Sequence, residues 1–330
     1  MNVLYTCDNN YVWLMGVSVV SLFENNCLMD EINVYILGEN ISDENKKILC
    51  DIAENYNRKI VVIDVPEIDI PKSLVSARWP LSAFTRLYSG QLLPNEMKKV
   101  LYLDCDTIIS GSIEELEGLD VLNYIVYGIK DCIGSSYKKN IGLDPDEQYV
   151  NAGVLLFNLE KLRRIDIKDT IDRYMIKYEN LINYADQDIL NGIFNGKIGT
   201  IAPQYNVMTI DVVHTYKEIT ILRRPTNFYT EEELIKAVNN PVIIHYTTNM
   251  RVVRPWFQDT NHPFMDEFRK YLKMSPWKNI KLKEMKFMSK EAAIIGLIMK
   301  LPKTLAYSIL GLLHSEIKPF VIRLKSKWRK

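Results

Sequence analysis

The chain predicts an α/β fold: one domain on a mainly parallel sheet, followed by a basic helical appendage. Short apolar strands and amphipathic helices alternate at close spacing, which is the pattern of βαβ units. Several of those strands end on polar or acidic residues. Beyond residue 275 the composition changes, with 13 Lys and Arg against 3 Asp and Glu from Lys278 to Lys330, although the whole chain has a net charge of zero. This places a domain at 1–275 and a tail at 276–330.

The elements run in order. "NVLYT" is a strand ending at Asp8-Asn9-Asn10, whose side chains can cap the apolar segment "YVWLMGVSVVSLFENN" as a helix. "INVYILG" is a second strand, and Ser42 caps "DENKKILCDIAENY", with Ile48, Leu49, Ile52, Ala53 and Tyr56 on one face. "KIVVIDV" is a third strand. "LSAFTRLYSGQLLP" is helical to about Leu92, and Pro94 stops it. "VLYLDCD" is a buried strand, "YIVYGIKD" another, and from Gly153 "VNAGVLLFNLEKLRR" passes from strand to helix. "ADQDILNGIFNGK" is a short helix with acids in its first turn, where the helix dipole favours them. "PVIIHYTTN" is a strand ending on His245.

With 330 residues, 47% of them hydrophobic, the chain can bury a full core. Its five cysteines, an odd number, show neither metal-binding nor disulfide spacing, and "MNVLYTCDNN" lacks a secretory leader. Both point to the cytoplasm. The tail interleaves its basic residues with "AAIIGLIM" and "TLAYSILGLL", which suits an anionic bilayer better than nucleic acid. Lys300, Pro302 and Lys303 divide these segments below the ~18 apolar residues of a span, so the tail is expected to lie on the inner face of the membrane.

The chemistry concentrates at strand ends. In an extended chain Asp104 and Asp106 would face the same side, roughly 6.5 Å apart, and could share one divalent cation while Cys105 packs behind. Dinucleotide loops, phosphate loops and serine nucleophile elbows are absent from the sequence. The remaining strand-end residues are Asp8, Asn10, Asn151, Asp186 to Asp188 and His245.

Six ordered stretches, "YTCDNNY", "FTRLYSGQLLP", "VLYLDCD", "NAGVLLFNL", "DQDILN" and "HYTTNMRVVRPW", resemble the retaining glycosyltransferases of family 8 over about residues 3 to 260. The resemblance is to the bacterial lipooligosaccharide galactosyltransferases and, more distantly, to glycogenin. It implies a Rossmann-like, nucleotide-sugar-binding domain of the GT-A type. It also implies transfer of galactose or glucose from a UDP-hexose to a glycan, lipid-linked or protein acceptor. The metal, usually Mn²⁺ with Mg²⁺ as the alternative, would be held by Asp104, Asp106 and His245. Asp8 would accept the uracil imide proton, Asn10 would hold the nucleoside and Tyr11 would stack on its ring. Arg78 and Arg86 match donor-binding basic positions, where a guanidinium suits phosphate or sugar hydroxyls. Asn151, Asp186 and Gln187 would grip the transferred hexose, Gln187 stabilising positive charge during attack on the leaving-group face. A covalent adduct on Asp186 is the alternative.

In one motif the sequence departs from the family. The family ends on H-x-x-G-x-x-K-P-W, whereas here Thr248 replaces the glycine, Arg251 falls at the lysine's spacing and Arg254-Pro255-Trp256 arrives three residues late. Either arginine could reach the diphosphate. Two other readings of the residues stand beside this one. One is a haloacid-dehalogenase-like phosphatase using "VLYLDCDTI", against which the chain has no D-D pair. The other is a non-catalytic sugar-nucleotide-binding membrane adaptor.

Overall fold

The computed structural model describes residues 1–66, 81–249, 252–284 and 290–327, with the side chains of 81–82 and 290–292 excepted. Among the described residues ten strands carry the fold: β1 (Asn2–Asp8), β2 (Asn33–Glu39), β3 (Lys59–Asp64), β4 (Lys99–Leu103), β5 (Thr107–Ile109), β6 (Val126–Lys130), β7 (Val150–Asn158), β8 (Ile198–Thr200), β9 (Val207–Met208) and β10 (Ile243–His245). The main sheet runs β3-β2-β1-β4-β7-β6-β8, and a second, small sheet runs β5-β10-β9. β3, β2, β1 and β4 are mutually parallel, while β7 runs against both β4 and β6, so the sheet is mixed. All nine residues of β7 are buried, as a strand covered on both faces requires. It begins at Val150, before Gly153, because Val150 still pairs with Lys130 across the sheet.

β2 and β3 extend outward on one side of β1, and β4, β7, β6 and β8 on the other. That reversal opens a crevice at the carboxyl ends of β1 and β4, where open α/β sheets place ligands. Asp8 and Asp104 stand at those two ends. Helix α1 (Val12–Asn25) is apolar on nearly every side and is sandwiched between the sheets. Ser18 makes its polar contacts there, 3.0 Å from both the Tyr5 and Thr107 hydroxyls. The turn into α1 is held by Asp8, whose Oδ1 accepts from the backbone N–H of Asn10 (2.8 Å) and Tyr11 (3.2 Å). Ser42 caps α2 (Asp43–Asn55) as expected, accepting from Asn45. The helical segment after residue 80 is interrupted by a 3₁₀ turn at Arg86–Tyr88, which turns the Arg86 side chain inward.

Residues 277–284 lie against the body. The Trp277 indole fills a notch over Gly16, where an added Cβ would lie 2.1 Å from it. Lys283 exchanges backbone hydrogen bonds with Trp256 and Gln258 at 3.0 and 2.9 Å. Beyond them come helix Lys290–Ile298 and a continuous helix, Lys303–Lys327. Gly311 lets this last helix press onto helix Tyr216–Arg223, since a Cβ there would meet the Ile221 carbonyl at 2.1 Å. A π turn at Leu313–Ile317 precedes Pro319, whose ring would clash with the carbonyl four residues back in a regular helix. Asn140 ties the helix to the body just beyond this turn by donating to the Pro319 carbonyl at 3.0 Å. By length and composition alone the 25-residue helix could cross a membrane, with mean hydropathy 1.2 over its most apolar stretch and 33% of that stretch buried. The expected break near Lys300 holds, but the second half is longer than the sequence suggested.

Replacing Trp277 by alanine is expected to lower stability by about 3 kcal/mol, as for other large core truncations. Urea denaturation measures this, and a loss below about 1 kcal/mol would mean that residues 277–284 are not part of the catalytic body's core.

Candidate active site

The Asp104-Cys105-Asp106 stretch is a turn between β4 and β5, so its two carboxylates converge through a bend of the chain, not through extended geometry. β10 pairs with β5 and brings His245 opposite Thr107. His245 Nε2 lies 3.1 Å from Asp106 Oδ1 and 3.6 Å from Asp104 Oδ2. Among the described residues, Asp104, Asp106 and His245 form the one group that could hold a metal ion, their ligand atoms all within 4.8 Å of one another. Burial opposes a charged imidazole, but the two carboxylates outweigh it and raise the His245 pKa. Burial likewise opposes ionisation of Asp106, yet His245 and Arg254 hold its pKa down.

Gly153 makes this approach possible. A Cβ on it would fall 2.2 Å from His245 Cε1 and 2.9 Å from Asp104 Oδ2. Its carbonyl accepts from the Asp104 N–H at 2.8 Å, which fixes the first acid of the turn.

From His245 a chain of hydrogen bonds leads to Gln187. Asn151 Oδ1 accepts from the Gly153 N–H at 2.9 Å, and Gln187 Oε1 accepts from the Ala152 N–H at 3.1 Å, so backbone donors settle which way both amides face. Asn206 Nδ2 then donates to Asn151 Oδ1 (2.9 Å), which leaves Asn206 Oδ1 to accept from His245 Nδ1 (2.9 Å). Asn151 Nδ2 donates to Gln187 Oε1 (3.0 Å), and Gln187 Nε2 donates to Asp131 Oδ2 (2.9 Å) and Tyr149 Oη (3.2 Å). Asn206 and Asp131 were not among the sequence candidates. Asp131 follows β6 directly and obeys the same strand-end rule as Asp104, whereas Asn206 sits in a short 3₁₀ turn with no sequence signal.

Arg86 lies beneath the acids, 6% exposed. Its Nη1 is 2.9 Å from Asp104 Oδ1 and donates to the Ala152 carbonyl, its Nε is 3.2 Å from Asp186 Oδ2, and the guanidinium stacks 4.3 Å over Tyr102. Burial raises the Asp186 pKa to about 6 despite Arg86. Ala185 just before it adopts a left-handed φ of 46°, a conformation that costs a non-glycine residue on the order of 1 kcal/mol. Asp188 clamps this bend, accepting from the N–H groups of Asn183 and Tyr184 at 2.6 and 2.7 Å.

At the mouth, Arg254 reaches Asp106 Oδ2 at 3.3 Å, also donates to Thr248, and stacks on Trp256. Tyr11 is exposed at the start of α1, with the Lys283 ammonium 5.8 Å from its ring centroid. Asn10 is exposed beside it. Arg78 and Arg251 lie outside the described residues. A cavity of about 170 Å³ adjoins the amide chain, lined by Asp131, Asn151, Tyr184, Gln187, Arg223 and Thr248 among others. The structure thus gathers Asp104, Asp106, His245, Arg86, Asp186, Arg254, Asn151 and Gln187 around one crevice, with Asp8 at the end of the strand beside β4.

Comparison with known proteins agrees with this geometry. The family model for glycosyl transferase family 8 matches residues 2–260. A Haemophilus influenzae protein that carries a glycosyltransferase name is 35% identical over 218 residues, 64% of this chain and 64% of its own length. The chain thus covers just under two thirds of that relative. A lipopolysaccharide 1,2-glucosyltransferase of Escherichia coli is 28% identical over 295 residues, 86% of this chain and 81% of its own. The crystal structure of the galactosyltransferase LgtC, in complex with donor and acceptor sugar analogues, superposes with a TM-score of 0.67 at 25% identity, covering 84% of this chain and 96% of that one. These matches displace the phosphatase alternative. The chain belongs to glycosyl transferase family 8, with the GT-A type of fold.

Proposed function

We propose that the protein is a metal-dependent, retaining hexosyltransferase that moves galactose or glucose from a UDP-sugar to a glycan, lipid-linked or protein acceptor in surface glycan synthesis, working at the inner face of the membrane. One observation carries this reading. With its Nδ1 proton committed to Asn206, His245 aims Nε2 at two carboxylates that raise its pKa, so the structure favours positive charge at this point. A divalent cation would take the place of the Nε2 proton there, and a carboxylate-imidazole set suits Mn²⁺ or Mg²⁺.

Asp104, Asp106 and His245 would hold that ion, which when bound would neutralise the donor diphosphate and its developing charge on departure. Arg254 pairs with Asp106 here and would turn to a phosphate oxygen of the donor. Asp8, Asn10 and Tyr11 border the crevice where the nucleoside would lie, and Arg86 serves the donor indirectly by holding Asp104 and Asp186.

Gln187 is a fixed dipole. Its oxygen already accepts two hydrogen bonds and its nitrogen donates two, which leaves no lone pair ready for covalent attack. Asp186, buried and ion-paired, is a weak nucleophile as well. Both facts favour substitution on the leaving-group face, with Gln187 oriented toward the developing positive charge, Asn151 holding the amide and the acceptor hydroxyl losing its proton to the departing phosphate. The E. coli relatives named as lipopolysaccharide glucosyltransferases support a surface-glycan acceptor.

Three outcomes follow. Asp106→Ala, or excess EDTA on the unaltered protein, should cut UDP release from UDP-galactose or UDP-glucose by at least ~100-fold, because removing one charge-stabilising group typically costs that much. Near-normal release would refute the metal site. The product should keep the α configuration by NMR, and Gln187→Ala should slow turnover without abolishing it; a β-linked product would overturn the mechanism. Finally, Asn206→Leu should weaken Mn²⁺ binding about 10- to 100-fold, as loss of a ligand's outer partner does. Calorimetric titration measures this, and an unchanged affinity would show that Asn206 does not orient His245.

A further inference from the structure

A second cavity, of about 300 Å³, lies between the tail helices and helix Tyr216–Arg223. Leu222, Ile294, Ile295, Ile298, Leu310 and Leu313 form its apolar walls, and its ionisable lining groups are Arg223, His314 and Lys318, with no acid among them. Arg223 also lines the polar cavity beside Gln187 and Asp131, so one side chain borders both spaces. Arg223 Nη1 contacts His314 Nε2 at 2.5 Å, and the Tyr184 hydroxyl, from the polar side, lies 3.3 Å from the same nitrogen. Burial next to Arg223 and Lys318 pushes the His314 pKa down to about 3, so the histidine is a neutral spacer between these two basic residues. Around the apolar walls the tail exposes Ile294, Leu297, Leu305, Leu312 and Phe320.

We infer that this cavity is the lipid subsite of an amphiphilic acceptor, a sugar joined through phosphate to an isoprenoid or acyl chain. The inference deepens the transferase reading and rests on it. The acceptor hydroxyl enters the polar cavity near Gln187, the phosphate sits at Arg223 and Lys318, and the chain occupies the space walled by Ile294, Ile298 and Leu310. The charge pattern selects this occupant: an apolar chamber whose charged lining is wholly basic matches an apolar chain with an anionic head.

The test uses the full chain with EDTA present, so that phosphate does not engage the metal site. Farnesyl phosphate, inorganic phosphate and farnesol are each titrated calorimetrically against the unaltered protein and Ile294→Glu. Ile294 is 59% exposed, so the substitution is compatible with folding, and UDP-hexose hydrolysis with Mn²⁺ restored verifies it. Farnesyl phosphate is expected to bind at least tenfold more tightly than either fragment, and Ile294→Glu to weaken it at least tenfold while leaving hydrolysis unchanged. Equal binding of farnesyl phosphate and inorganic phosphate would overturn the lipid subsite. So would a variant that loses association with phosphatidylglycerol vesicles yet binds farnesyl phosphate normally, because the apolar rim would then serve the bilayer alone. Absence of UDP-hexose hydrolysis in the unaltered protein would count against the transferase reading instead, and farnesyl phosphate binding would still be decided separately.

Discussion

The site depends on two backbone N–H groups, those of Ala152 and Gly153. They donate to the side-chain oxygens of Gln187 and Asn151 and thereby set the direction of every hydrogen bond from His245 to Asp131. An amide that could flip would offer either an oxygen or an NH₂ to its neighbour. Here each flip would set donor against donor or acceptor against acceptor at two places, each costing roughly 1–3 kcal/mol as an unmet buried polar group. The imidazole tautomer is therefore a consequence of strand β7, not of local choice at His245. The His245 imidazole and the Gln187 amide are parts of one polarised array.

The same strand explains the crowding. Gly153 lets the His245 ring and the Asp104 carboxylate come within contact of the backbone, and Arg86 pairs with Asp104 and Asp186 from below. One buried guanidinium thus offsets acids on both sides of the crevice. It also explains why Asp104 and Asp106 differ in their companions: the first is tied to the body by Arg86, the second to His245 and, at the mouth, Arg254. Burial without such pairing would neutralise a carboxylate instead of leaving it able to bind a cation.

Much of this was legible in the sequence. The alternation of strands and helices identified the sheet, and the rule that ligands gather at strand carboxyl ends singled out Asp8, Asp104 and His245, while Asn151 joins them from the amino end of β7 because that strand runs against β4. Extended geometry was the wrong reason for the pairing of Asp104 and Asp106, since a turn brings them together. Asn206 and Arg223 were not legible because each matters only through a partner far along the chain, at His245 and His314 respectively, and a helix or loop carries no periodic mark of such a contact. The tail's basic and apolar blocks were visible, but its docking was not. Docking depends on Gly311, Pro319 and the π turn between them, which register only when Ile221 and Asn140 are in view.

That docking changes what the tail can be. A segment tethered to the body only by a linker could bind a bilayer without influence on the crevice. This one places His314 against Arg223 and Tyr184, which line the polar cavity beside Gln187. Glu316 accepts from Ser136 and pairs with Arg224, and Lys303 pairs with Glu218, so polar contacts fasten the helix at several points along its length. Any displacement of the helix would therefore bear on the same arginine that lines the space beside Gln187. The donor half of the crevice is built from strand ends of the sheet, whereas the far wall is built from helix Tyr216–Arg223 and the tail. Two halves with separate supports allow the acceptor side to vary while the donor side keeps the geometry that Ala152 and Gly153 impose.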